Sequence, residues 1–147
     1  MASASCTPLE RGVQSRIVTR LNKNPDTLVR VRSADAVGHV VGDPDVYGSV
    51  NGRHVEIEVK VGSNTPSDKQ WFELRKWASK GACCCVCYSA AEAVIFQSEV
   101  LAGRGEGQLL VFGAAAECVR QGKHGAGYKV PIATISGRGR DTEVLEC

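Results

Sequence analysis

The chain has 147 residues, 43% hydrophobic and 23% charged, with 18 Lys and Arg against 16 Asp and Glu for a formal net charge of +2. That length suits one domain with a self-sufficient core, and nothing in the balance suggests an acidic tail or a charged disordered arm. A charge so near neutral does not announce a nucleic-acid binder, although an acidic metal site would offset basic patches in the total.

Pro8 suits the first turn of a helix, in which Leu9, Val13, Ile17 and Leu21 recur as an apolar stripe. Asn24, Pro25 and Asp26 end it. Residues 28–32 alternate apolar and basic and read as a strand. Residues 39–47 read as a second strand, interrupted at Pro44, where a proline marks an edge or a bulge and bends the chain to aim Asp45. Asn51-Gly52 is a hairpin turn signal. It makes residues 53–61 a third strand, antiparallel to the second, and so brings Asp45 near Glu58. After a loop over 62–66, Ser67 and Gln70 have the spacing of a capping box. The helix they open closes at Gly81, the usual glycine just past a helix end. Residues 82–88 form a strand buried on both faces and reached by a crossover, and residues 90–101 another helix. Beyond Gly103 the pattern weakens. There residues 109–112 and 129–135 read as strands, and frequent glycines mark turns.

The seven cysteines include the run Cys83-Cys84-Cys85-Val86-Cys87. No matched second pair or pair of histidines accompanies it, so zinc is a poor reading. The run is read as small buried hydrophobes in a central strand, which implies a reducing compartment. No N-terminal stretch resembles a signal peptide and no run is long enough to span a membrane. A cytoplasmic protein is expected. His39, His54 and His124 lack ligand spacing and read as structural or surface residues. Trp71 and Trp77 read as core.

In an extended strand successive side chains alternate faces. Glu58 and Lys60 therefore share one face, with Glu56 beside them, while Val55, Ile57, Val59 and Val61 take the other. A carboxylate from one strand beside a carboxylate and a lysine from its neighbour can hold a hard divalent cation, which takes oxygen ligands and keeps waters and substrate phosphate oxygens. The pattern points to phosphodiester chemistry. Asp43 reads as a loop cap, and Glu56 as a surface or supporting residue rather than a ligand.

Gly42-Asp43-Pro44-Asp45, Glu58-Val59-Lys60, the helix start Ser67-Asp68-Lys69-Gln70 and the strand entry Lys80-Gly81-Ala82 together resemble the VRR-NUC domain, a branch of the PD-(D/E)XK nuclease superfamily. The best-matched stretch covers residues 41–94. The resemblance implies an α/β fold with a restriction-endonuclease-like core in the order α-β-β-β-α-β, a central mixed sheet and flanking helices. It implies a nuclease core over residues 8–102 and an extension over 103–147 that supplies strands, a dimer contact or a DNA contact. By the same resemblance Asp45 and Glu58 are metal ligands with the Val59 carbonyl, Lys60 is the catalytic lysine, and Gln70 faces the site. Glu10 is the first-helix glutamate and a further ligand, with Gln14 a weaker neighbour.

The cofactor implied is Mg²⁺ or Mn²⁺. The activity implied is a structure-specific endodeoxyribonuclease like the small bacteriophage proteins that resemble Holliday-junction resolvases, acting in the host cytoplasm if phage-encoded. Contacts to DNA fall to Arg16, Arg20, Lys23, Lys69, Arg75, Lys76 and Lys80, with Lys123, Arg138 and Arg140 as additions. Such contacts go mostly to phosphates and do not read sequence. Symmetric cuts in a junction call for a homodimer. The alternatives are a restriction-type or exonucleolytic enzyme, a nucleic-acid-binding module without catalysis, and a cysteine-rich metal or redox protein.

Overall fold

The computed structural model describes residues 7–33, 37–125, 132–133 and 142–147. Helix α1 spans Pro8–Leu21, with the Thr7 hydroxyl accepting from the Glu10 N–H at its start. Strands β1 (Thr27–Val31), β2 (Val46–Val50) and β3 (Arg53–Val59) follow, then α2 (Asp68–Ser79), β4 (Cys83–Cys87), α3 (Ala90–Leu101), β5 (Gln108–Phe112), α4 (Gly113–Arg120), β6 (Ile132–Ala133) and β7 (Thr142–Glu146). The Ser67–Gln70 capping box is present in full at the start of α2. Gly81 just beyond the end of α2 has φ +101°, a conformation that favours glycine.

Among the described residues the strands form one mixed seven-stranded sheet in the order β1-β2-β3-β4-β5-β7-β6. β1, β2 and β3 are an antiparallel meander, and β3-β4 and β4-β5 pair in parallel through the α2 and α3 crossovers. Four helices flank the sheet. On one face α1 and α3 bury Val13, Ile17, Leu21, Phe96 and Val100 against Val55, Ile57, Val59 and the odd-numbered cysteines of β4. On the other, Trp71, Leu74 and Ala78 of α2 and Ala115, Ala116 and Val119 of α4 cover Cys84, Val86, Leu109 and Val111. All five residues of β4 are fully buried, as its continuous apolar run requires of a central parallel strand. The six described cysteines are free, and burial pushes the Cys84 and Cys85 thiols well above their ordinary range. No helix among the described residues is long and apolar enough to cross a membrane.

Several expectations shift. The second strand begins only at Val46, because Gly42 (φ +91°) and Pro44 turn the chain through a loop before it. The third ends at Val59, short of Val61. Leu9 is 64% exposed and drops out of the α1 stripe, which continues instead through the buried Glu10 and Gln14. The segment beyond residue 102 contributes β5, α4 and β7 to the same sheet and core. Of the strand expected over 129–135, residues 132–133 are β6 and the rest lie outside the described residues.

Gly48 in the middle of β2 is where the meander is tightest. A Cβ there would overlap the Leu28 carbonyl oxygen and press on the Val29 Cα of β1. Gly48→Ala should therefore pry β1 from β2 and cost about 2–4 kcal/mol, read as a lowered urea midpoint at unchanged slope.

Candidate functional site

The site forms where β2 begins and β3 ends. Antiparallel pairing sets Val46 opposite Ile57, so Asp45, the residue before β2, falls level with the Glu58-Val59 end of β3. Its Oδ2 accepts the Val59 N–H at 3.0 Å. Lys60 follows directly and stays in line because its N–H donates to the Cys87 carbonyl of β4 at 3.0 Å. Its Nζ lies 3.6 Å from Glu58 Oε2. Glu58 is 1% and Lys60 6% exposed, which rules out a solvated face of cross-strand charges.

Glu10, in the first turn of α1, is buried and close enough to Lys60, Asp45 and Glu58 to perturb and be perturbed by them. Desolvation raises the Asp45 carboxyl above its usual range against the Val59 hydrogen bond and Lys60, which pull it down. Glu58 is raised well above, by burial first and then by the neighbouring Asp45. Desolvation raises Glu10 too.

The Glu58 and Asp45 carboxyls stand close enough to share a proton in a side-chain hydrogen bond. Glu58 Oε1 is buried without a hydrogen-bond partner. Leaving a buried acceptor unsatisfied costs about 1–3 kcal/mol, and a carboxylate held beside a second one adds repulsion. A divalent cation would relieve both. Among the described residues no three His, Cys, Asp or Glu side chains are grouped to hold a metal ion by themselves. Asp45 and Glu58 are the two carboxylates here that could donate oxygens to a hard cation, with water or substrate oxygens needed for the rest of its shell.

Glu58→Gln should expose this conflict. In the variant a stabilisation by Mg²⁺ seen in wild type should vanish. The folded carboxyl titrates above its unfolded value, so its contribution to stability is complete at low pH and is lost as pH rises through the folded value. The stability of the variant relative to wild type, measured in EDTA by thermal melts, should accordingly be higher at pH 8 than at pH 5.

The Pro44-Asp45 bend has a clamp that sequence reading missed. Arg32, just past β1, donates from Nη1 to the Pro44 carbonyl at 2.6 Å, and its N–H donates to the Asp45 carbonyl at 2.7 Å. Its guanidinium also grips Glu56 through two bonds of 2.7 and 3.0 Å and lies over the Tyr47 and Trp77 rings. Glu56, expected at the surface or in support, is fully buried and supports the bend through this pair. His54 adds a 2.6 Å contact to Glu56 and stacks on Trp77. Asp43 caps its loop through Val40 and accepts from the Trp77 indole. The signal was present: Glu56 shares a strand face with Glu58, so its burial required a cation from the neighbouring strands.

Other site residues stand apart. Gln70 Oε1 accepts from the Ser67 N–H, closing the capping box, and Gln70 makes no hydrogen bond to Asp45, Glu58 or Lys60. Gln14 is buried one turn beyond Glu10. Arg75 cannot be a surface contact to DNA. It is 3% exposed, turned inward against His124 and over the Trp71 ring, because its position on α2 faces the core. Lys69, Lys76 and Lys80 are exposed, as are Arg16, Arg20, Lys23 and Lys123; Arg138 and Arg140 lie outside the described residues. Phe72, 42% exposed, carries the Lys69 and Lys76 ammoniums 5.3 and 5.9 Å from its ring centre. No protein-family model matches the chain, and no curated protein matches it.

Proposed function

We propose that the chain is a metal-dependent endonuclease that hydrolyses DNA phosphodiester bonds, of the PD-(D/E)XK kind and VRR-NUC-like, with branched DNA such as a four-way junction as substrate. The observation that carries this is the convergence of the half-buried Asp45 with the buried Glu58 and Lys60 in one cluster, in which Glu58 Oε1 has no hydrogen-bond partner. Such a group of charges is costly to bury for structure alone. The element order α1-β1-β2-β3-α2-β4 supports the reading, as does the reach of Glu10 to the cluster.

Asp45 and Glu58 would hold Mg²⁺ or Mn²⁺, with the Val59 carbonyl as a further donor and Glu10 as anchor for a second ion. When bound, the ion supplies positive charge to the phosphate and lowers the pKa of a coordinated water. The chain does the rest. Lys60 presents its ammonium beside Glu58, where it orients the attacking water and offsets negative charge developing on the phosphate. Arg32 and the Val59 N–H hold Asp45 in place, so no reorganisation is needed when the substrate binds. The surrounding burial keeps bulk water from screening these charges. Two cuts across a junction need two such sites, hence a homodimer.

The test is cleavage of a labelled junction, flap and linear duplex in Mg²⁺ or Mn²⁺, with EDTA as control. Metal-dependent nicking that favours the branched substrates is the expected result. Binding without cleavage in either metal would make the chain a binding module and refute the enzyme reading.

A further inference from the structure

Helix α1 presents two different faces. Glu10, Val13, Gln14, Ile17 and Leu21 are buried, whereas Arg16 and Arg20 project from one flank, about 40° apart at 100° per residue, and Lys23 follows in the turn just past the helix end. That flank forms one wall of an open cavity of about 300 Å³, lined by Ser15, Arg16, Thr19, Arg20, Lys23 and Ala90. The lining holds three cations and two hydroxyls and no acid. None of the three cations forms an ion pair among the described residues. Across the groove stands the N-terminal end of α3, where Ala90 is the first helical residue and Ser89 the cap.

A helix N-terminus carries positive partial charge, so the cations crowd against charge of their own sign. Glu92, the acid of the first turn of α3, accepts the Tyr88 N–H at 2.7 Å and is not among the residues lining the groove. Cations near the end of α1 complement its own dipole at Lys23 and Arg20, but Arg16 lies too far from that end, since the effect fades within the last turn. The exposed cations of the groove thus present one sign of charge to an incoming ligand.

We propose that this groove is a track for nucleic-acid backbone outside the cleavage centre, holding an arm of the substrate through about three successive phosphates. Arg16 and Arg20 are about 6 Å apart along the helix axis and Lys23 extends the row past the helix end, while phosphates on one strand follow each other about every 3.4 Å along the duplex. Hydroxyls at Ser15 and Thr19 and the positive N-terminal end of α3 suit phosphate oxygens. Glu10 begins the same rigid helix about 9 Å before Arg16, so an arm seated in the groove is held at a fixed distance from the cleavage cluster. The track rests on the nuclease reading for its ligand class and extends it to how a branch is held.

The test is fluorescence anisotropy of a labelled four-way junction with the full chain in EDTA, across a series of salt concentrations. Arg16→Gln/Arg20→Gln/Lys23→Gln is compared with Arg30→Gln/Arg53→Gln/Arg104→Gln, which removes the same charge elsewhere, and circular dichroism checks both folds. The groove variant should bind at least tenfold more weakly near 0.1 M salt. Its slope of log affinity against log salt should also be shallower by about two to three, at about 0.9 per lost phosphate contact. The control triple should lose less than threefold. Equal losses in the two triples, or no loss in the groove variant, would overturn the track. So would binding of the wild type to phosphatidylserine vesicles but not to DNA. Because EDTA removes catalysis from the measurement, a chain that never cleaves can still show the track, and a chain that cleaves can still lack it.

Discussion

Lys60→Ala and Asp45→Ala should each reduce metal-dependent cleavage by roughly a thousandfold or more, the scale of losing one preorganised charge-stabilising group from a buried site. Lys60→Ala leaves the backbone bonded to Cys87 but takes the cation from the buried Glu58, so part of its effect is on stability. Asp45→Ala also strips the Val59 N–H of its acceptor, at about 1–3 kcal/mol. Asp45→Asn keeps an acceptor there and separates the two effects. Rates on a labelled junction beside melting curves decide the matter, and near-wild-type turnover by folded Lys60→Ala or Asp45→Asn would eliminate the cluster as the active centre.

The second large effect is on stability. Arg32→Ala should cost about 3–5 kcal/mol, as expected when one partner of a buried ion pair is removed. For a chain of this size that lowers the melting midpoint by roughly 10 °C. Glu56 is fully buried and keeps only His54. The same change frees the Pro44 carbonyl, so activity should fall further than stability explains. Arg32→Met/Glu56→Leu should recover most of the lost stability, since apolar residues of similar volume often replace a buried pair without loss. It should not recover cleavage, because the clamp on the Asp45 bend is gone. Recovery of both would mean that Arg32 serves packing alone.

Much of this was legible because it is local. The Asn51-Gly52 turn, the Ser67-Gln70 box and Gly81 each announce an element boundary through side-chain chemistry within four residues. Period-two alternation set Glu58 and Lys60 together, and the hairpin register brought Asp45 to them. The failures are long-range. Arg32 meets Glu56 across 24 residues, a pairing that only the β1-β2-β3 order creates. Helix α4, with its run Gly113-Ala114-Ala115-Ala116, has small side chains and no side-chain cap, and β7 is defined by pairing with β5 rather than by its own pattern. Arg75 was misplaced because charge alone does not say which flank of α2 a residue takes; His124, 49 residues away, draws it inward. Gln70 had two uses open to it, and the nearer one, its own cap, is the one in place.

Asp45 and Glu58 lie on the two arms of a single hairpin. Their separation along the chain is short, so the loop entropy of bringing them together is small, and a β-hairpin closes in about 1–10 μs. The parallel joins to β4 and β5, which must wait for crossovers, belong to a slower stage. The mutual repulsion of two carboxylates is therefore met early in folding, before α2 and β4 have sealed them from water, when hydration still screens it.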